Sequence, residues 1–313
     1  CCFAALVSLA ASAVATTATS AGAAASERLP EPLARIARQL SVPTTGVSLL
    51  VQGIGDPAPR FAYRADVPRN PASTLKLVTT FAALERLGPS HVWTTEVHAA
   101  RVPDADDTVG DLFIRGGGDP YLVQEEFWKL LAALRHRGIR RIEGDLVFDL
   151  SRFDLPIENR GAFDGQPDRV YNVLPHALRV NFNAVSFRVE ALPDGLTRVT
   201  ADPPLPNLFV RNRLRSVPGG CGGYQLGIGI SIQDAAERNL AALDGRFPAA
   251  CGEHELARSV LTPETYAHGL FELYWRQLGG EFSGGWRLGA VPPGSTPVHV
   301  HRSPPLGDVI RLV

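Results

Sequence analysis

Asn70-Pro71-Ala72-Ser73-Thr74-Leu75-Lys76-Leu77-Val78-Thr79-Thr80 continues through Phe81 to Leu87 and stops at Gly88-Pro89. The stretch reads as a helix punctuated at both ends: Asn70 caps it, Pro71 takes the first helical position, 72–87 fill it, and Gly88-Pro89 ends it. Ser73 and Lys76 are three residues apart, so hydroxyl and amine share a face within hydrogen-bond reach. In the first turn Ser73 sits at the positive end of the helix, where backbone N–H groups are not used internally and a developing oxyanion is favoured. Lys76 serves as base only in its amine form, which desolvation or a neighbouring cation promotes. Composition sharpens this. Of 31 basic residues only Lys76 and Lys129 are lysine, and arginine does not give up its proton, so a base at this place has to be lysine. With 16 serines in the chain, on the order of 0.1 S-x-x-K matches arise by chance. The competing reading is an exposed lysine on an ordinary helix.

Upstream, residues 33–40 repeat apolar positions at helical spacing, and 46–51 and 61–63 read as two strands of an antiparallel hairpin across a turn-rich 53–59. Residues 24–32 read as a linker. The N-terminal 1–25 read as an export leader lacking its basic region, because a short apolar run ends in Ser12-Ala13-Val14-Ala15, an A-x-A cleavage pattern. The run is too short for a stable membrane span. Localisation is therefore expected to be exported, periplasmic or extracellular.

Downstream, strands are expected over 93–100, 111–115, 145–149, 184–190 and 197–200, with a helix over 124–137. Glycine density rises over 219–229. A helix is expected over 263–278, strands over 282–288 and 297–301, and a helical start at Leu306. His299 and His301 alternate on one strand without a third ligand nearby in sequence and read as surface histidines rather than a metal site. Gly116-Gly117-Gly118 invites a phosphate-cradle reading, but no G-K-[ST] follows, so a tight turn is favoured.

At 45% hydrophobic content and a formal net charge of −1, the chain is long enough for two or three domains with cores of their own. Lysines and arginines form no cluster interleaved with aromatics, which argues against nucleic acid and for a small or peptide-like substrate. No cofactor or metal is implied. Cys1 and Cys2 fall in the leader, leaving Cys221 and Cys251. Either they bond after export, worth about 3–4 kcal/mol for a loop of that size, or they are unrelated buried thiols.

The run from Pro71 to Thr80 with Leu87-Gly88-Pro89 resembles the active-site helix of the D-alanyl-D-alanine carboxypeptidase/endopeptidase family, the class C low-molecular-mass penicillin-binding proteins. Gly110-Asp111-Leu112, Arg115-Gly116-Gly117-Gly118-Asp119-Pro120, Gly144-Asp145-Leu146 and Asn181-Phe182-Asn183-Ala184 follow in the family's order. The resemblance implies an α/β (α+β) fold: a β-lactamase/transpeptidase-like serine domain interrupted by a large β-rich insertion. The expected division is 1–25 leader, 26–95 catalytic, 96–258 inserted, and 259–313 catalytic again, with the C-terminal part of the catalytic domain missing. By similarity Cys221 and Cys251 would be disulfide-bonded, and Asp168 and Tyr171 lie where the insertion of relatives contacts substrate.

Enzymes of this type use S-x-x-K, S-x-N and K-T-G together. Only the first is in these 313 residues, and 303–313 resembles the approach to the second. The implied activity is a serine-type D-Ala-D-Ala carboxypeptidase/endopeptidase acting on peptidoglycan stem peptides through a Ser73 acyl-enzyme with Lys76 as general base. β-Lactam antibiotics would be its inhibitors in the complete protein, and these residues alone are expected to be inactive. The alternatives are a non-catalytic envelope-binding module, or a β-lactamase or esterase of the same fold, the latter disfavoured by the insertion.

Overall fold

The computed structural model describes residues 26, 28–99, 107–156, 158–223, 227–235 and 238–312. The expected leader lies outside them. The chain forms two compact units, 1–78 and 79–313.

In the first unit, α1 (Glu31–Gln39) starts at Pro30-Glu31-Pro32 and turns Ala34 and Ala37 inward. The hairpin forms as expected, though shorter on its first strand: β1 (Leu49–Val51) pairs antiparallel with β2 (Phe61–Tyr63), Leu49 opposite Tyr63. Residues Thr44–Gly46 instead make a 3-10 turn. Arg69 fastens that turn, donating to Ser48 Oγ at 3.0 Å and to the Thr45 carbonyl at 2.9 Å. The chain then enters α2 (Leu75–Leu87).

The second unit runs β3 (Thr94–Ala99), β4 (Thr108–Val109), β5 (Leu112–Arg115), α3 (Gln124–His136), β6 (Arg141–Ile142) and β7 (Leu146–Asp149). After a long loop come β8 (Val185–Ala191), β9 (Thr197–Asp202), β10 (Leu208–Val217), β11 (Ile228–Ala235), β12 (Arg238–Pro248) and β13 (Glu253–Arg258). It ends with α4 (Pro263–Gln277), β14 (Glu281–Phe282), β15 (Trp286–Leu288), β16 (His299–Arg302) and α5 (Leu306–Ile310).

Its main sheet has the order β15-β7-β5-β3-β16, parallel from β15 to β5 and antiparallel at β3 and β16. The two strands that are apolar at successive positions, Leu112-Phe113-Ile114 and Leu146-Val147-Phe148, lie inside it and are buried, as a sheet covered on both faces requires. α3 joins them and contributes Phe127, Leu130, Leu131 and Leu134, spaced along one helical stripe, to the core that also takes Tyr266, Leu270 and Phe271 of α4. Thr262 caps α4, its Oγ1 accepting from Thr265 N–H at 3.2 Å, with Pro263 at the first helical position.

Several expectations change here. Residues after 258 do not part from those before: β14 pairs with β6, β15 with β7 and β16 with β3, so 281–302 share sheets with 94–149. The single strand expected over 282–288 is two, in different sheets. It breaks because Gly284 crosses against the Gly144 carbonyl, leaving no room for a side chain. His301 is buried rather than on the surface, with Nε2 3.5 Å from Glu126 Oε2 of α3. Burial, and for His299 the nearby Arg137 and His301, hold both imidazoles below their ordinary range. The sheet β10-β12-β11, with β10 parallel and β11 antiparallel to β12, spans 208–248, where the sequence reading noted only a rise in glycine density over 219–229. Cys221, between β10 and β11, is disulfide-bonded to Cys251 in the turn after β12, Cα to Cα 4.8 Å.

Candidate active site

Ser73 lies in a 3-10 turn, Ala72–Thr74, and the α-helix begins only at Leu75. The α-helical placement of Ser73 is thus corrected by one turn. Asn70 does cap, but onto the nearest donor: its Oδ1 accepts from Ala72 N–H at 2.8 Å. Thr74 adds N–H and Oγ1 bonds to the Pro71 carbonyl at 3.1 and 2.9 Å. Between them Ala72 takes φ 47, a left-handed conformation that alanine adopts only under constraint. The tight turn presents Ser73 at the helix entrance, and both Ser73 and Lys76 are exposed. α2 buries none of its residues, and Leu77, Val78 and Phe81 are more than 60% exposed. An apolar helical face of this kind marks a surface made to be covered.

The glycines 116–118 are a crossing of chain segments. A side chain at Gly116 would strike the Ala177 carbonyl, one at Gly117 the Thr94 carbonyl, and Gly118, at φ +78, lies under the Phe153 ring. Beyond them Asp119 is 5% exposed, accepts from Tyr121 N–H at 2.8 Å through Oδ1, and has an Oδ2 with no hydrogen-bond partner. Burial, with the Glu126 charge adding to it against the Tyr121 hydrogen bond, raises its pKa from 3.8 to about 6. A carboxyl whose folded pKa is raised stabilises the fold below its unfolded pKa and loses that contribution as pH climbs through the folded value. Asp119→Asn keeps an acceptor for Tyr121 and removes the charge. It should raise unfolding stability at pH 8 by about 1–3 kcal/mol and flatten the decline between about pH 4 and 6. Urea unfolding at pH 4, 6 and 8 checks this, and an unchanged pH slope contradicts it.

Sequence reasoning also missed an ionic chain on the main sheet. Arg115 Nε donates to Asp149 Oδ2 at 3.0 Å and its other arm to Glu96 Oε2 at 3.3 Å. Asp149 also accepts from Val291 and Ser151 N–H. Burial alone would raise its pKa, but these hydrogen bonds outweigh it and bring the carboxyl to about 2. Glu96 continues to His98 Nε2 at 3.3 Å, and His98 Nδ1 meets Ser295 Oγ at 2.9 Å. The order Ser-His-Glu imitates a hydrolytic relay. However, Ser295 N–H, the backbone donor beside the hydroxyl, is spent on the Pro292 carbonyl at 3.2 Å, and the array braces β3 against the loop before β16. Positions up to 199 residues apart left no sequence signal for it.

Asp168 and Tyr171 fall in the second unit, in the loop after β7, and have separate partners. Asp168 Oδ2 is 3.4 Å from Arg258 Nε and its carbonyl accepts from Ser259 N–H at 2.8 Å. Tyr171 is exposed and donates to Asp164 Oδ2 at 2.7 Å. Among the described residues, the one group with metal-ligand spacing is Cys221, Cys251 and His254, His254 Nε2 lying 3.2 Å from Cys221 Sγ. With the sulfurs joined, neither is a thiolate, so the group is not a ligand set as it stands. Among the described residues no helix is long and apolar enough to cross a membrane.

The D-Ala-D-Ala carboxypeptidase 3 (S13) family model matches residues 29–313. The chain is 30% identical over 234 residues to a D-alanyl-D-alanine carboxypeptidase of Actinomadura sp. (strain R39), covering 71% of this chain and 42% of that protein. It is 26% identical over 243 residues to D-alanyl-D-alanine carboxypeptidase DacB of Haemophilus influenzae, covering 77% and 50%. Penicillin binding protein 4 (dacB) of Haemophilus influenzae superposes with a TM-score of 0.66 at 23% identity, over 83% of this chain and 57% of that one. The same protein complexed with a beta-lactam gives 0.55 at 22%, over 76% and 50%. The chain thus spans about half the length of these relatives and shares the fold of the solved ones. With residues 29–313 matched by the family model, this chain belongs to the D-Ala-D-Ala carboxypeptidase 3 (S13) family.

Proposed function

We propose that the protein carrying this chain is a serine D-Ala-D-Ala carboxypeptidase/endopeptidase of the cell envelope that cleaves peptidoglycan stem peptides, with Ser73 as nucleophile and Lys76 as its base. The observation that carries this is the Ser73-Thr74-Leu75-Lys76 run on a constrained, exposed turn at the mouth of α2, inside a region matched by the family model. Ser73 Oγ adds to the carbonyl carbon of the scissile D-Ala peptide bond while its proton passes to the Lys76 amine. The tetrahedral oxyanion forms near the N-terminal end of the helix, whose positive dipole end favours negative charge. The C–N bond then breaks, the leaving amine takes a proton, and water hydrolyses the Ser73 ester. A penicillin follows the first half of this path, which accords with the beta-lactam complex of the Haemophilus influenzae relative. The exposed apolar face of α2 supports the reading, since residues supplying S-x-N and K-T-G would have to lie over it.

A second reading, a non-catalytic envelope-binding module, is favoured by one observation: neither S-x-N nor K-T-G occurs in these 313 residues. Labelling with a fluorescent penicillin, followed by peptide mapping, separates the two. For protein that includes both further motifs the first reading requires a stoichiometric adduct on the peptide containing Ser73. An absent adduct leaves only the second, whereas an adduct on another residue removes Ser73 from the nucleophile's role.

A further inference from the structure

The loop after β7, the entrance to α4 and the end of β15 enclose a cavity of about 580 Å³ whose wall is largely apolar, with Phe153, Leu155, Leu174 and Leu288 among its residues. Its size is that of a small-molecule site, and every wall residue belongs to the second unit. Two of its few polar wall residues are unsatisfied. Asn183 is 1% exposed, and its Nδ2 donates to Ser259 Oγ and to the Leu261 carbonyl, both at 2.8 Å. Those two acceptors fix the amide's orientation, and Oδ1 is left buried without a hydrogen-bond partner. Arg160 Nε is likewise buried and unpartnered, while its NH2 reaches the Ser259 carbonyl at 3.4 Å. Ser259 therefore contacts both residues, Asn183 through its hydroxyl and Arg160 through its carbonyl.

The arrangement carries backbone strain. Asn181, Phe182 and Asn183 take φ 47, 55 and 55 in succession, a left-handed turn that Phe182 in particular does not favour. Asn181 braces it by donating to Tyr266 Oη at 2.8 Å, which in turn donates to the Ala184 carbonyl at 2.9 Å. Strain and buried unsatisfied groups are retained where something else requires them. The remaining titratable groups at the wall are a pair, His176 Nε2 3.1 Å from Glu264 Oε1, and the Asp168 charge acts on Arg160.

We propose that this cavity binds an N-acylated amino-acid carboxylate with an apolar side chain. Its N–H meets Asn183 Oδ1, its carboxylate meets Arg160, and its side chain fills the space beside Phe153, Leu155 and Leu288. The two polar groups of such a ligand flank a single carbon atom, and the two unsatisfied wall groups belong to residues that both bond Ser259. The inference uses neither Ser73 nor Lys76 and stands or falls apart from the catalytic reading.

The test is a titration of the protein with N-acetylleucine, each enantiomer separately, followed through the Arg160 Nε–H and Asn183 side-chain amide signals in nitrogen–proton NMR spectra. A tetrapeptide ending in leucine serves as a second arm. Saturable shifts at both groups are expected, and the methyl ester of N-acetylleucine should bind about tenfold more weakly, having lost its charge-assisted bond. Arg160→Gln should bring the acid down to the ester's affinity. If that variant does not fold, the comparison of acid and ester on the unaltered protein decides. Binding by N-acetylleucine identifies a free acyl amino acid as sufficient, and binding by the tetrapeptide alone identifies a peptide C-terminus as the ligand. No saturable shift at either group with either compound, or equal affinity for acid and ester, overturns the proposal.

Discussion

Lys76→Arg, although it keeps the positive charge, is expected to slow acylation of Ser73 by penicillin about as severely as removing the base altogether, on the order of 10³-fold or more. A guanidinium has no accessible neutral form and cannot take the Ser73 proton. Ser73→Ala goes further and leaves no covalent adduct, since the acyl bond is to that oxygen. The pair of variants separates two explanations of a silent protein. A structural role for Lys76, such as holding the turn at Ala72–Thr74, would let arginine substitute in large part, whereas a proton-accepting role would not. The measurement is the pseudo-first-order rate of labelling at fixed penicillin, in protein that includes S-x-N and K-T-G residues. Wild-type rates in Lys76→Arg would remove Lys76 from the base's role, and stoichiometric labelling of Ser73→Ala would remove Ser73 from the nucleophile's.

The parts of this molecule that could be read from the chain are those where local chemistry and tertiary structure agree. α4 begins at Thr262-Pro263 and ends before Gly279, whose φ of +73 suits glycine alone, and its expected span differs from the observed one by a single residue. β5 and β7 were legible because buried central strands show as unbroken apolar runs. β10, β11 and β12 were not. Arg211, Arg213 and Arg215 alternate along β10, a period-two pattern whose outward face is charged, and the apolar signal left for the inner face is thin. The membership of 281–302 in the same sheets as 94–149 was also out of reach, because pairing across more than a hundred residues leaves no periodicity. At the proposed active site the residue types could be read and the backbone could not. Asn70 and Pro71 announce a helix start, but that the start is a 3-10 turn with Ala72 at positive φ depends on where Asn70 finds its donor. Asn183 was noticed as part of a motif, while its unpartnered oxygen is visible only once Ser259 and Leu261 are beside it.

Trp275→Ala is expected to destabilise the second unit by about 3–5 kcal/mol, the range for truncating a large buried aromatic. The indole is 1% exposed, stacks on Phe271 with centroids 5.4 Å apart, and donates from Nε1 to the Glu281 carbonyl at 3.1 Å. The Arg135 guanidinium also lies over the ring, 5.4 Å from its centroid. Arg135 itself closes the end of α4, donating to the carbonyls of Leu278 at 3.1 Å and Gly279 at 2.9 Å. Gly280 passes so near the ring that no side chain fits there, so the turn into β14 is shaped around the tryptophan. Alanine leaves a void that neither this turn nor the α3–α4 contact can close. Trp275→Phe retains most of the volume and loses the N–H bond and some contact, which should cost about 1–2 kcal/mol. Urea unfolding of both variants, compared at equal m-value, measures the difference, and a loss under about 1 kcal/mol for alanine would show that the site collapses freely. Because α4 and β15 also supply Glu264 and Leu288 to the cavity wall, a packing defect at the far end of α4 should loosen that wall as well. Hydrogen exchange at 286–288 should therefore quicken in Trp275→Ala more than in Trp275→Phe.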